Sequence, residues 1–204
     1  MQITKPDYYN NLDKTYSKIW SLLELGLKNR DSSFHIPVFI CGDKNKFDGR
    51  IIVLRGVDKI EKKIRFHTDI RSNKIKFLKI NSKSNLLFYD KIQKIQLRIS
   101  GNSKINYKNK ISKNSWEKTA HMSRQCYLGN KAPGLDFTEP TSGLSEDINN
   151  FKYTIEESEI GYESFCVVDF FIESIEWLYL AAKGHRRALF KLSENAVQKN
   201  WLIP

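Results

Sequence analysis

The feature that most limits this fold is a succession of short runs rich in β-branched and aromatic residues, broken by tight turns instead of helices. "HIPVFICG", "RIIVLRGVD" and "KIRFHTD" follow one another between residues 35 and 69, separated by Gly, Asp, Asn and Lys. Runs of this composition and spacing are strands joined by short loops. "NLLFYD" and "IQKIQLRISGNSKINY" add two more, and "SFCVVDFFIESIEWLYL", "HRRALFKLS" and "VQKNWLIP" read as three closing strands. With no helix between most of them, a mainly antiparallel sheet closed into a small barrel suits the chain better than a doubly wound α/β fold.

Helices flank this sheet. From about 8 to 28, Leu12, Tyr16, Ile19, Leu22, Leu23 and Leu27 recur at three- and four-residue steps, which predicts one amphipathic packing helix. "RSNKIKFLKINSKS" places Ile75, Leu78 and Ile80 on one side and predicts a short helix; "NSWEKTAHMSRQCYL" predicts a second, capped by Asn114 or Ser115. The stretch at about 129–150, with its prolines and glycines, is expected to be an irregular excursion. No internal repeat or linker divides the 204 residues, so a single domain spanning 1–204 is expected.

A formal net charge of +11 raises the possibility of a polyanionic partner. The lysines, however, stand singly among Ile and Asn, so a basic nucleic-acid-binding barrel is only an alternative. Cys41, Cys126 and Cys166 lie far apart without CxxC spacing, which suggests neither a metal site nor a disulfide framework and fits a reducing cytoplasm. Asp169, Glu173 and Glu176 interrupt the longest apolar stretch, and the N-terminus opens as a helix; neither a membrane span nor a secretory leader is expected. His35 and His121 have no partner constellation and are read as structural. Cys126 is read as a small hydrophobe with no nucleophilic set around it.

Three segments stand out for chemistry. "RIIVLR" carries Arg50 and Arg55 at its ends, "FHTDIRSNK" ends a strand in a hydroxyl and then offers Ser72, Asn73 and Lys74, and "IQLRISG" contains Gln96. Arg50, Ser72 and Lys74, together with the N–H groups of a helix start, form a plausible cradle for a dianion.

The order of "RIIVLR", "FHTDIRSNK", "IQLRISG", "SRQCYL", "HRRALF" and a terminal "WLIP" resembles the pyridoxamine 5'-phosphate oxidase family of FMN-binding split barrels, in particular its Alr4036-like branch. The resemblance implies a six-stranded antiparallel split β-barrel, mainly β with flanking helices, that forms a homodimer with FMN between its subunits. It implies Arg50 and Lys74 on the FMN phosphate with Ser72 and Asn73 beside them, Ile51, Val53, Leu54 and Arg55 along the flavin, and His67 and Thr68 at its ribityl or ring side. Gln96 and Arg187 would arrive from the other subunit, while Arg55, Arg124 and His185 would meet a small phosphorylated substrate. In such oxidases the flavin removes a hydride equivalent from the carbon bearing an amine or alcohol, and oxygen reoxidises it; no metal takes part.

The chain also departs from that pattern. Asn73 stands where an arginine is usual, Ala120 where a tyrosine is expected, and "KGHRRA" replaces two arginines spaced around a histidine. Leu178 stands where a tryptophan covers the flavin, with Trp177 one position away. These departures leave most of the flavin site and thin the substrate site, so a non-oxidase flavin-binding module or reductase is the alternative reading.

Overall fold

The computed structural model describes residues 5–182 and 184–204. Its first helix, α1 (Leu12–Lys28), begins four residues later than the apolar spacing suggests, because the Asn11 side chain accepts from Lys14 N and caps it there. Four strands follow as β1 (Val38–Gly42), β2 (Phe47–Ile51), β3 (Leu54–Asp58) and β4 (Lys63–Asp69). The run "RIIVLRGVD" is therefore two strands. Ile52 and Leu54 still point inward at 6% and 1% exposure, but the chain changes partner between them, from β1 to β4.

Helix α2 (Asn73–Ile80) leads into β5 (Lys83–Asp90) and the twelve-residue β6 (Ile95–Asn106). The second predicted helix is in fact two, α3 (Lys110–Glu117) and α4 (His121–Arg124). Neither Asn114 nor Ser115 caps it: Asn109 does, in a reciprocal box with Ser112, so α3 starts before the expected position. The excursion at 129–150 is irregular as expected until α5 (Glu146–Asn149), after which β7 (Phe165–Tyr179), β8 (Arg186–Leu192) and β9 (Val197–Leu202) complete the chain.

Among the described residues the sheet is antiparallel and has nine strands instead of six, ordered β2-β1-β5-β6-β7-β4-β3, with β8 on β7 and β9 on β8. It forks at β7. Along one edge β7 pairs with β6 over nearly its full length; along the other, residues 165–171 pair with β4 and residues 174–179 with β8. The ladder does not close, since β2 and β3 end it on either side, but Ile52 N donates to Pro37 O and Leu54 N to His35 O, tying the β2–β3 link to the approach to β1.

One apolar core fills the curl of the sheet beneath α1 and α2, with Trp20, Phe39, Phe66, Phe88, Phe170, Trp177 and Phe190 all at 2% exposure or less. A smaller cluster of Trp116, Phe165 and Val167 holds α3 against β7. Among the described residues no helix is long and apolar enough to cross a membrane.

Gly101 sits at the register shift between β6 and β7, where an added Cβ would lie 2.0 Å from Phe171 O. Gly101→Ala is expected to force the two strands apart and lower stability by about 1–3 kcal/mol, the usual cost of overpacking. A thermal melt followed by circular dichroism measures it, and an unchanged midpoint would contradict the close packing of this bulge.

Candidate functional site

A cleft of about 730 Å³ opens where the β2–β3 link, the end of β4, the start of α2 and the α3–α4 turn converge. That volume lies within the range of small-molecule and cofactor sites. Its walls include Arg50, Ile51, Val53 and Arg55 from one side, His67, Thr68, Ser72 and Lys74 from a second, and Ala120, His121, Cys126 and Tyr127 from a third. Eight of the residues expected at one site are thus brought together, although they come from four separate elements.

The electrostatic centre is Lys74. It leaves the first turn of α2 only 8% exposed, and its Nζ donates to Thr68 Oγ1 at 2.7 Å and Ser72 Oγ at 3.3 Å. Among the described residues no carboxylate pairs with it. Burial, and next the neighbouring Arg50 guanidinium, draw its pKa down from the ordinary lysine value to about 8. Arg50 is tied to Asp48 through Nη2, but its Nε is buried without a hydrogen-bond partner among the described residues. No side chain caps α2, whose N-cap Ser72 turns its hydroxyl to Asp69 O at 2.8 Å.

The one acid on the wall is already neutralised: Asp69 holds Arg71 through both carboxylate oxygens and accepts from Arg71 N at 2.7 Å. A buried ammonium without a counter-ion, an unsatisfied guanidinium N–H and an uncapped helix start together demand an oxyanion with several acceptors. A phosphate dianion meets that demand, so the donor set fits the FMN phosphate.

At the other side of the cleft, burial and then the charges of Arg55 and Arg65 lower the His67 pKa to about 4. Its imidazole is therefore neutral near pH 7, and its ring meets Phe165 edge-on at 4.9 Å. Burial raises the Tyr127 pKa, so this phenol keeps its proton.

The remaining expected residues lie elsewhere. Leu54 is buried in the core beside the cleft, and exposed Asn73 stands next to Gly134 outside the walls. Arg124 is 4% exposed, and its guanidinium donates to Thr119 O, Ser158 Oγ, Glu159 Oε1 and Trp116 O while stacking 4.5 Å above the Trp116 ring. Its donors are engaged within the chain. His185 is exposed at the approach to β8, and its neighbour Lys183, part of the "KGHRRA" segment, lies outside the described residues.

Gln96, Leu178 and Arg187 stand opposite one another across β6, β7 and β8, on the face of the sheet turned away from the core. Trp177, expected near a flavin, points the other way and is fully buried in the core, because strand alternation sends adjacent residues to opposite faces. Arg30, Ile52, Asp69, Tyr127 and Pro133 also line the cleft without having been expected there. Cys126 and His121, read as having no functional setting, stand on the same wall; no local pattern marked them, since the α3–α4 turn reaches the cleft only through tertiary packing.

Residues 23–106 match the family model described as pyridoxamine 5'-phosphate oxidase, FMN-binding domain. Among curated proteins none matches the chain. Among solved structures, a pyridoxamine 5'-phosphate oxidase-related, FMN binding protein from Nostoc punctiforme is similar with a TM-score of 0.73 at 15% identity, over 99% of this chain and 100% of its own. PhzG from Burkholderia lata, solved in complex with tetrahydrophenazine-1-carboxylic acid, gives 0.70 at 15% identity, over 100% of this chain and 99% of its own. A pyridoxamine 5'-phosphate oxidase-like structure from Listeria innocua gives 0.50 at 16% identity over 81% of this chain and 99% of its own. These likenesses show a shared fold; FMN follows from the family model, whose matched segment contains Arg50, Thr68, Ser72 and Lys74.

The lowered His67 pKa carries a stability signature. Between pH 6.5 and about 4 the unfolded chain takes up a proton that the folded chain refuses, so stability present above pH 6.5 is lost as the pH falls through this window. His67→Asn should make that loss shallower. Urea midpoints at pH 7 and pH 4.5 test it, and equal slopes for both proteins would show that His67 is not held neutral.

Proposed function

The segment 23–106 belongs to the pyridoxamine 5'-phosphate oxidase FMN-binding family, and from that premise we propose that the chain is an FMN-dependent oxidoreductase acting on a small phosphorylated amine or alcohol such as pyridoxamine 5'-phosphate. The observation that carries the reading is the counter-ion-free Lys74 beside the unpartnered Nε of Arg50. Bound there, FMN supplies hydride acceptance.

The chain's own residues supply placement. Arg50, Lys74, Ser72 and Thr68 bind the phosphate, and the backbone from Ile51 to Leu54 runs beside the remainder of the cofactor. Neutral His67 orients by hydrogen bonding and is no proton source near pH 7. Arg55 lines the cleft without an ion pair among the described residues and offers its charge to a substrate phosphate.

Gln96 and Arg187 share the outer sheet face with Ile40, Leu87 and Leu189, which border a shallow depression of about 310 Å³ together with Arg98 and Glu176. Pairing this face with a second copy would make a homodimer and carry Gln96 and Arg187 toward the partner's cleft. There a donor near the polar edge of the flavin stabilises the charge that develops on reduction. Three free cysteines fit work in a reducing cytoplasm.

A second reading has its own support. Arg124 is engaged internally and His185 lies off the cleft, so two of the three expected substrate-binding residues do not line it in the single chain. A reductase or a flavin-binding module without oxidase turnover accounts for that arrangement. Oxygen-dependent conversion of pyridoxamine 5'-phosphate with peroxide release separates the two: turnover supports the oxidase, and its absence in FMN-loaded protein leaves the second reading.

Cofactor binding is tested first, by the visible absorbance of the purified protein before and after FMN addition. Arg50→Ala and Lys74→Met should each weaken FMN binding by about 1.5–3 kcal/mol, the worth of a charged hydrogen bond. Because Lys74 loses its proton near pH 8 in the free protein, wild-type affinity should fall as the pH rises through that value, and Lys74→Met should abolish the dependence. Affinity unchanged in both variants would move the phosphate elsewhere.

A further inference from the structure

The cleft carries more positive charge than Arg50 and Lys74 provide. Arg30, from the turn between α1 and β1, also lines it. Arg50 is paired with Asp48 and Asp69 with Arg71, so Arg30, Arg55 and Lys74 are the wall cations without an ion-pair partner among the described residues. Gathering three such cations around one cavity is unfavourable until an anion of more than one charge enters it.

The turn that presents Arg30 is tightly built. Asn29 N donates to Leu25 O at 2.8 Å to end α1, Asp31 N donates to Asn29 Oδ1 at 2.9 Å, and His35 N donates to Ser32 O at 2.9 Å. His35 Nδ1 bonds Gly26 O at 2.7 Å. Gly26 lies so close to the Phe34 backbone that an added Cβ would stand 2.5 Å from Phe34 O, and fully buried Phe34 stacks on Phe88 at 5.3 Å. The same segment is joined to the cleft wall by the bonds from Ile52 N to Pro37 O and from Leu54 N to His35 O. Arg30 is therefore an exposed side chain on a backbone fixed relative to the cleft. A charge on a preorganised backbone gives up less freedom on contact with a ligand than one on a mobile loop.

The complementary observation concerns Asn73. It has no charge, and it stands outside the cleft walls beside Gly134. We propose that Arg30 is the third cation directed at the FMN phosphate, supplying from the α1–β1 turn the charge that Asn73 does not. The inference rests on the reading of the cleft as an FMN site. A guanidinium suits the task, because its planar fork meets two phosphate oxygens at once.

The test compares Arg30→Ala with the wild-type protein in titrations of FMN and of riboflavin, which lacks the phosphate, followed by quenching of flavin fluorescence. Substitution of so exposed a side chain should leave the fold intact, and circular dichroism checks this. FMN affinity is expected to fall roughly tenfold, the lower end for a charge-assisted contact, with riboflavin affinity unchanged. Unchanged FMN affinity, or an equal loss for both flavins, overturns the role of Arg30 while leaving the FMN reading in place. Wild-type protein that takes up neither flavin overturns both.

Discussion

The structure depends on one strand serving three partners. β7 runs for fifteen residues, with β6 on one edge and β4 followed by β8 on the other. A strand with two partners on a single edge obliges the sheet to divide, and the division separates the β3–β4 arm from the β8–β9 arm. Its buried stretch is held by a charge: Asp169, 2% exposed, receives Arg65 Nε at 2.7 Å, Arg65 Nη2 at 3.0 Å and Asn106 Nδ2 at 3.1 Å. One carboxylate thereby ties β4, β7 and β6 together. Its burial is tolerable because its oxygens are so well satisfied.

This arrangement delivers the cleft. β4 ends at Asp69 beside the start of β7, and the turn into α2 places Ser72 and Lys74 against the β2–β3 link. The aromatic cluster of Trp116 and Phe165 brings the α3–α4 turn over the opposite wall, and buried Arg124 fastens it to Ser158 and Glu159. An arginine placed among substrate-binding residues by resemblance thus performs a structural task in the single chain. Lys74 is the reverse case, a buried cation held by two hydroxyls and, among the described residues, by no carboxylate.

Much of this was legible beforehand. Short β-rich runs without intervening helices identified an antiparallel sheet with flanking helices, and the motifs around Arg50 and Lys74 named residues that the fold gathers on the walls of one cleft. Boundaries were less legible. "RIIVLRGVD" has the uninterrupted β-branched content of one strand, yet the chain exchanges β1 for β4 between Ile51 and Leu54, and local composition carries no mark of a change in partner. Asn109 displaced Asn114 and Ser115 as the cap because capping depends on which donor the folded turn presents. Trp177 fell in the core, not on the outer face that Leu178 shares with Gln96 and Arg187, because a shift of one residue along a strand reverses the face.

What the sequence by itself determined was the type of each element and the local grouping of Thr68, Ser72 and Lys74, for these depend on contacts a few positions apart: strand alternation, helix spacing, and the short cluster from Thr68 to Lys74. Only the tertiary structure decided the remainder of the site. Arg30, Tyr127 and Pro133 reach the cleft, and Arg124, His185 and Gln96 stay off its walls. The physical reason is that the partners of these side chains lie far away along the chain, so their positions follow from the fork at β7 and from the packing of turns against it.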